Sequence, residues 1–414
     1  MDVRDNQLYI GGVSAIEIAE KYGTPVYVYD ENIIRERAEG LLRSIEWPNK
    51  EIKYACKANT NPSIMKILKE YGIGIDAVSL GEVYCALRCG FPREAILFTS
   101  NNASFTELEY AIREKILINI DSLSQLEMVG KKYTGLELCV RINPNVGAGH
   151  HQHVITGGPE SKFGISYRDV EKIKEIASKY SLRIKGLHQH IGSGILETEI
   201  YLEAVEVLLD VAEAFDSLDF IDFGGGIGIP YRESEKPIDI EDLGEKITKK
   251  FADFCKKYGR EIKLCLEPGR YFVAESGFLL ARVTAVKKEE KYRFVGTDTG
   301  FNHLIRPAMY GSYHRIINAG CVNGKKVRQV VVGNICESGD VFTRDEKGIV
   351  ERELPLFKEG DLVCICNAGA YGFSMASNYN SRPRPPEVLV GNGKMRLIRE
   401  RETIEDIFRG CVDL

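Results

Sequence analysis

Lys57 follows a short apolar run, 52–56, and Ala58-Asn59-Thr60-Asn61-Pro62 then leads into a helix-like segment. A lysine so placed can attack a carbonyl and form a Schiff base, once burial among Tyr54, Ala55 and neighbouring strands depresses its pKa. Alone it carries little weight, because lysines usually keep the ammonium in water. Two later segments shift the balance. Gly224-Gly225-Gly226-Ile227-Gly228 follows the apolar run 220–223, and its bare backbone N–H groups can approach a phosphate. Ser193, in His190-Ile191-Gly192-Ser193-Gly194, can add a hydroxyl to the same anion. Glu267 ends another apolar run and precedes Pro268-Gly269-Arg270. A carboxylate there can keep a pyridine nitrogen protonated, making the ring an electron sink; an ion pair with Arg270 is the plainer alternative. Reactive amine, phosphate cradle and ring-nitrogen partner together point to pyridoxal phosphate.

His190 can lie flat against such a ring, whereas His188 shares the strand and should face the other way. His150, His151 and His153 do not make a metal site, since nothing nearby supplies the remaining ligands; no metal is expected. Cys336-Glu337-Ser338-Gly339-Asp340 is an odd choice for core filling, and a thiol beside a cationic complex can donate a proton. Aromatic, amide and hydroxyl groups also crowd the stretches 369–375 and 378–383 beyond the needs of an ordinary loop.

The elements that must position these residues are legible as apolar runs. Eight recur at 52–56, 73–78, 96–99, 116–120, 136–142, 184–191, 220–223 and 262–266, most separated by amphipathic stretches. Helices are expected at 61–71, 80–89, 104–114, 168–180 and 197–215. Strand–helix alternation implies a parallel sheet, and eight units imply a closed (β/α)8 barrel of TIM type. An open doubly wound sheet competes. The placement of polar residues favours the barrel. Lys57, Asp76 with Ser79, Asn101, Asp121, Arg141 with Asn143, His190 with Ser193, the glycine run and Glu267 with Arg270 all sit at or past a strand's C-terminal end. That is where barrel enzymes keep their chemistry.

Beyond Gly277 the texture becomes that of an antiparallel β domain. Strands are expected at 279–286, 292–296, 327–332, 362–366, 387–390 and 395–398, with turns at Asn323-Gly324, Lys347-Gly348 and Gly391-Asn392-Gly393. Thr403 reads as an N-cap for a short closing helix, and 7–10 as an added strand. The expected division is a cofactor-binding barrel at 28–276 and a β domain at 277–414, with 1–27, that contributes to the active site.

Bulk properties agree with an enzyme of this kind. The 414 residues suffice for two domains, and 44% hydrophobic with 28% charged residues is ordinary for a globular protein. A net charge of −5 offers no basic excess for nucleic acid. The N-terminus lacks a signal-peptide core, and no apolar run is long enough for a bilayer. Eleven cysteines without a CxxC pair suggest reduced thiols in a cytoplasmic setting, with Cys139, Cys265, Cys364 and Cys366 filling core.

Taken together, the motifs resemble the diaminopimelate decarboxylase family, in the alanine-racemase-like (fold type III) class of pyridoxal phosphate enzymes that also holds ornithine and arginine decarboxylases. The likeness runs nearly end to end. It includes Tyr54-Ala55-Cys56-Lys57-Ala58-Asn59, Asp76-Ala77-Val78-Ser79-Leu80-Gly81-Glu82, His188-Gln189-His190-Ile191-Gly192-Ser193-Gly194 and Glu267-Pro268-Gly269-Arg270. Further on come Arg306-Pro307-Ala308-Met309-Tyr310-Gly311, Cys336-Glu337-Ser338-Gly339-Asp340, Ala370-Tyr371-Gly372 and Ser377-Asn378-Tyr379-Asn380-Ser381-Arg382.

The resemblance implies Lys57 as the Schiff-base lysine, Glu267 as the pyridinium partner and His190 stacked on the ring. It gives Ser193, Gly226, the Gly269–Arg270 backbone and Tyr371 to the phosphate, with Asp76 and Gly225 completing the cofactor set. Arg270, Arg306, Tyr310 and Tyr371 would bind substrate, Glu337 its distal amino group, and Cys336 would protonate the carbanion. It also implies a homodimer in which the Cys336 segment reaches the partner's site. Asn334 stands where the family often has proline. The implied reaction is decarboxylation of meso-2,6-diaminopimelate to L-lysine, the last step of lysine biosynthesis. Two arginines suit a distal carboxylate, which argues against an ornithine- or arginine-type decarboxylase. A racemase and a non-catalytic cofactor-binding homologue are the remaining alternatives.

Overall fold

The structure, a computed structural model, describes residues 1–146, 148–149 and 161–412. The histidine trio and most of the 147–158 loop fall outside the described residues. Two compact units emerge, Glu36–Ile229 with Lys236–Phe272, and Met1–Arg35 with Pro230–Glu235 and Val273–Leu414.

The first unit is a closed ring of eight parallel strands: Lys50–Ala55, Gly74–Ala77, Ile96–Phe98, Leu117–Ile120, Glu137–Asn143, Arg183–His188, Phe220–Asp222 and Lys263–Leu266. Pairing of Leu264 with Lys50 joins the last strand to the first, which an open doubly wound sheet would not do. The strands are buried on both faces, so they read as unbroken apolar runs rather than alternating ones. Inside the barrel, Leu97, Cys139, Phe220 and Cys265 pack as one cluster.

Capping side chains start the intervening helices. Asn61, Ser79, Ser104, Ser122 and Asp239 each accept a backbone N–H from the first turn of the helix that follows. Each such cap stabilises its helix by about 1 kcal/mol. Helix Pro62–Glu70 then buries Ile64, Met65, Ile67 and Leu68, leaving Lys66 exposed and Lys69 half-buried. Short capped connections leave the strands' C-terminal ends, and the polar residues there, at the mouth of the ring.

The second unit is built on the long strand Gly277–Lys288, which pairs antiparallel with Val26–Asp30, Arg293–Thr297 and Leu362–Ile365. Most of its strand pairs are antiparallel, as expected, and two run parallel. Arg293–Thr297 runs parallel to Lys326–Val332, and Val26–Asp30 parallel to Glu387–Gly391. The first of these pairs is joined by a connection long enough to bring the chain back in the same direction; the second joins strands from opposite ends of the sequence. Val26–Asp30 straddles the boundary expected at residue 28 and lies wholly in this sheet. Gln7–Ile10 belongs to a small three-stranded sheet of its own, tied on by Leu8 N–H donating to Ala319 O at 2.8 Å. Leu8, Ile10, Val26, Val28, Leu280, Cys364 and Val388 are part of its core. Thr403 caps the closing helix Ile404–Ile407 in a reciprocal box with Asp406. Among the described residues, no helix is long and apolar enough to cross a membrane.

Candidate active site

In the barrel unit the strand that precedes Lys57 ends at Ala55, so Lys57 sits in a 3-10 turn, Cys56–Ala58, rather than on the strand itself. Tyr54 fixes that turn by donating its hydroxyl hydrogen to Asn59 O at 2.9 Å. Asn59 Oδ1 in turn accepts the Asn61 N–H at 3.0 Å. The half-buried Lys57 is near enough that its charge acts on Glu82, His188, His190 and Glu267.

The glycine run is shaped by close approach. Gly224 has φ +69°, and a Cβ on Gly225 would lie 2.3 Å from the Glu267 carbonyl oxygen. Gly226 O accepts the Gly194 and Ile195 N–H groups at 3.1 and 2.9 Å, drawing the Ser193 loop against it. Ser193 Oγ accepts from Arg270 Nε at 3.2 Å and Nη2 at 2.9 Å. Arg270 therefore meets the hydroxyl expected at a phosphate. His190 Nδ1 accepts the Gly225 N–H at 3.2 Å, which ties its ring to the same cradle. Burial, assisted by Lys57, pushes the His190 pKa well below the usual imidazole value.

Glu267 is buried, and burial with the nearby Asp76 pushes its carboxyl pKa up. Its Oε2 lies 2.8 Å from His188 Nε2, while Oε1 is enclosed without a hydrogen-bond partner among the described residues. The expectation that His188 faces away from His190 does not hold: residues two apart on a strand share a face, and His188 meets Glu267 while lying, like His190, within reach of the Lys57 charge. Sequence reasoning gave it no role; the signal was the two-residue alternation along one strand. Burial lowers the His188 pKa to about 4, so the ring is neutral. Asp222, fully buried, accepts the Gly224 N–H at 2.9 Å, and its pKa is pushed up by burial and by Glu267. His188, Asp222 and Glu267 lie close together, their ligand-type atoms within 4.8 Å of one another, with the histidine hydrogen bonded to the Glu267 carboxyl.

Beside them Asp76 is buried, its Oδ1 without a hydrogen-bond partner among the described residues, and Arg141 lies with its guanidinium 4.5 Å from the Phe163 ring. Burial lowers the Arg141 pKa to about 10. Asn101 donates to Asp121 at the next strand end.

The remaining candidates lie in the β unit. Arg306, 1% exposed, opens the short helix Arg306–Tyr310 and donates from Nη1 to His314 Nε2 at 3.0 Å. Half-buried Tyr310 closes that helix. Cys336 and Glu337 are exposed in a turn held from two sides. Asn380 Oδ1 accepts the Cys336 N–H at 2.7 Å, and the Asp340 carboxylate accepts the Ile335 and Phe301 N–H groups, both at 2.7 Å. Asn380 has φ +58°, a backbone state that asparagine tolerates better than most residues. Half-buried Tyr371 also has positive φ, +57°.

Comparison with known proteins gives the family. Residues 32–274 match the family model of the pyridoxal-dependent decarboxylases, pyridoxal binding domain. The diaminopimelate decarboxylase of Methanothermobacter thermautotrophicus is 49% identical, over 99% of this chain and 97% of that protein. The chain belongs to the diaminopimelate decarboxylase family. The corresponding enzyme of Aquifex aeolicus is 39% identical over 100% of this chain and 98% of its own. A solved diaminopimelate decarboxylase from M. jannaschii, in co-complex with L-lysine, superposes with a TM-score of 0.91 at 34% identity, covering 100% of this chain and 98% of that one. As a family member the chain is a pyridoxal-dependent carboxy-lyase, and its residues fit the cofactor. The unpartnered Glu267 Oε1 suits a ring nitrogen, and the backbone approach at Gly224 and Gly225 leaves no room for side chains where a phosphate cradle is expected.

Proposed function

We propose that this protein decarboxylates meso-2,6-diaminopimelate to L-lysine and carbon dioxide, the last step of lysine biosynthesis, as a cytoplasmic homodimer. The observation that carries the reading is the buried Glu267, one oxygen held by His188 and the other without a hydrogen-bond partner among the described residues, in a chain similar along its full length to diaminopimelate decarboxylases. Bound pyridoxal phosphate supplies an electron sink for the carbon that loses carbon dioxide.

The chain's own residues supply the rest. Lys57 would hold the cofactor through Nζ, and His190 would lie against its ring. Ser193, Gly225, Gly226, Gly269, the Arg270 backbone and Tyr371 would take the phosphate, with Asp76 in the same shell. A carboxylate aimed at the ring nitrogen keeps it protonated, and burial makes that pairing stronger than it would be in water. Arg306, Tyr310, Tyr371 and the Arg270 side chain would bind the substrate, with guanidinium groups on its far carboxylate and Glu337 on its far ammonium. Cys336 would then deliver a proton from Sγ to the carbon vacated by carbon dioxide. In the dimer, that cysteine would serve the partner's site.

Carbon dioxide release from meso-, LL- and DD-diaminopimelate, ornithine and arginine tests the reading. Turnover of the meso compound alone or far ahead of the others is expected; equal turnover of ornithine would reverse the choice. Arg306→Ala should raise KM for meso-diaminopimelate about a hundredfold, the loss of a charged bidentate contact, while cofactor absorbance is kept.

A further inference from the structure

We propose that His314 is the positioning residue that lets Arg306 recognise the far carboxylate of the substrate. The inference rests on the reading of Arg306 given above and adds the group that aims it. His314 is buried, and its Nδ1 lies 2.8 Å from Cys366 O. A backbone carbonyl only accepts, so Nδ1 carries the hydrogen. Arg306 Nη1, 3.0 Å from Nε2, only donates, so Nε2 is the bare nitrogen. Both neighbours thus demand the same neutral tautomer, with no freedom to turn the ring over.

A charged imidazole would set an N–H against a guanidinium N–H, so the contact exists only with neutral histidine. Tyr231 completes the clamp. Its ring lies 4.7 Å from the Arg306 guanidinium carbon and 5.5 Å from the His314 ring, which it meets edge-on at 77°. The guanidinium plane is therefore held over an aromatic face while one corner is pinned by an imidazole nitrogen. Neither His314 nor Tyr231 adds a negative charge to Arg306. A carboxylate in the place of His314 would neutralise the guanidinium, whereas a neutral acceptor orients it without doing so. His314 thus does for a substrate-binding arginine what an outer-shell acceptor does for a metal-bound histidine.

The test compares two inhibitors of the holoenzyme that differ only in the group Arg306 reads. L-Lysine keeps the carboxylate; cadaverine is the same diamine chain without it. His314→Phe removes the acceptor and keeps a ring. It should weaken L-lysine inhibition and raise KM for meso-diaminopimelate by about tenfold or more, the loss expected when a hydrogen bond to a charged group is removed. Cadaverine inhibition should stay within about twofold of wild type, and kcat should fall by less than KM rises. His314→Gln, which still offers an acceptor oxygen, should recover much of the lost discrimination. His314→Leu carries the same expectation if the phenylalanine variant does not give folded holoenzyme by thermal melt and cofactor absorbance. Unchanged lysine-over-cadaverine discrimination in either apolar variant, or equal weakening of both inhibitors, overturns the proposal. Arg306→Ala separates the two layers. If it abolishes discrimination while the His314 variants keep it, only the role of His314 falls; if Arg306→Ala itself keeps discrimination, the reading of Arg306 falls.

Discussion

Glu267 shows how much chemistry one carboxylate can carry when its two oxygens meet different surroundings. His188 holds Oε2 at 2.8 Å, and Oε1 has no partner among the described residues. Burial pushes the Glu267 pKa up, so the carboxyl is held as an anion only when a cationic ring nitrogen sits against it, and it then needs no reorganisation. Glu267→Gln keeps the size and removes the charge. It should lower kcat by about a hundredfold or more while the cofactor remains bound. A loss below about threefold in steady-state decarboxylation would remove Glu267 from its proposed role. The sequence made Glu267 visible because it ends an apolar run beside Pro268-Gly269-Arg270. It did not make His188 visible as its partner, since the two residues are 79 apart and meet only when their strands enter one ring.

Elements turn such residues into a site by fixing where strands stop. The capped helices begin just past the strand ends, so Lys57, Ser193 and the glycine run collect at one mouth. That logic was legible, because apolar runs, cap residues and glycines are local signals. What was not legible is non-local. The last residues before Lys57 leave the strand for a 3-10 turn held by the Tyr54 hydroxyl, and two strand pairs of the β unit run parallel. Neither leaves a mark on residue type or spacing. Glycine substitutions probe this scale. Gly225→Ala would place a Cβ 2.3 Å from the Glu267 carbonyl oxygen, against the backbone of Glu267 and Pro268. Cofactor affinity, read by absorbance titration, should fall about tenfold or more. Gly81→Ala would meet only Ser79 Oγ at 3.7 Å on a helix, so it should bind cofactor like wild type. Equal behaviour of the two variants would contradict the cradle.

At the scale of the whole molecule, buried neutral histidines set the response to acid. His303 is held between Thr299 Oγ1 at 3.0 Å and Pro383 O at 3.1 Å, and burial lowers its pKa from 6.5 to about 4. The folded value lies below the unfolded one, so the unfolded chain takes up the proton first as pH falls. Stability from this group is complete above pH 6.5 and is lost between there and about pH 4. The loss amounts to about 2 kcal/mol between pH 7 and pH 5. His188, lowered to about 4 by burial, works in the same window. Urea unfolding at pH 7 and pH 5 should therefore show a smaller acid loss for His303→Gln than for wild type; equal losses would contradict the assignment.

Every role proposed for the barrel mouth presumes that Lys57 Nζ is where pyridoxal phosphate attaches. The holoenzyme can be treated with borohydride, digested, and its pyridoxyl peptide sequenced by mass spectrometry. The mark should fall on Lys57 alone, and Lys57→Ala should take none. A mark on another lysine, or undiminished labelling of the variant, would contradict the account.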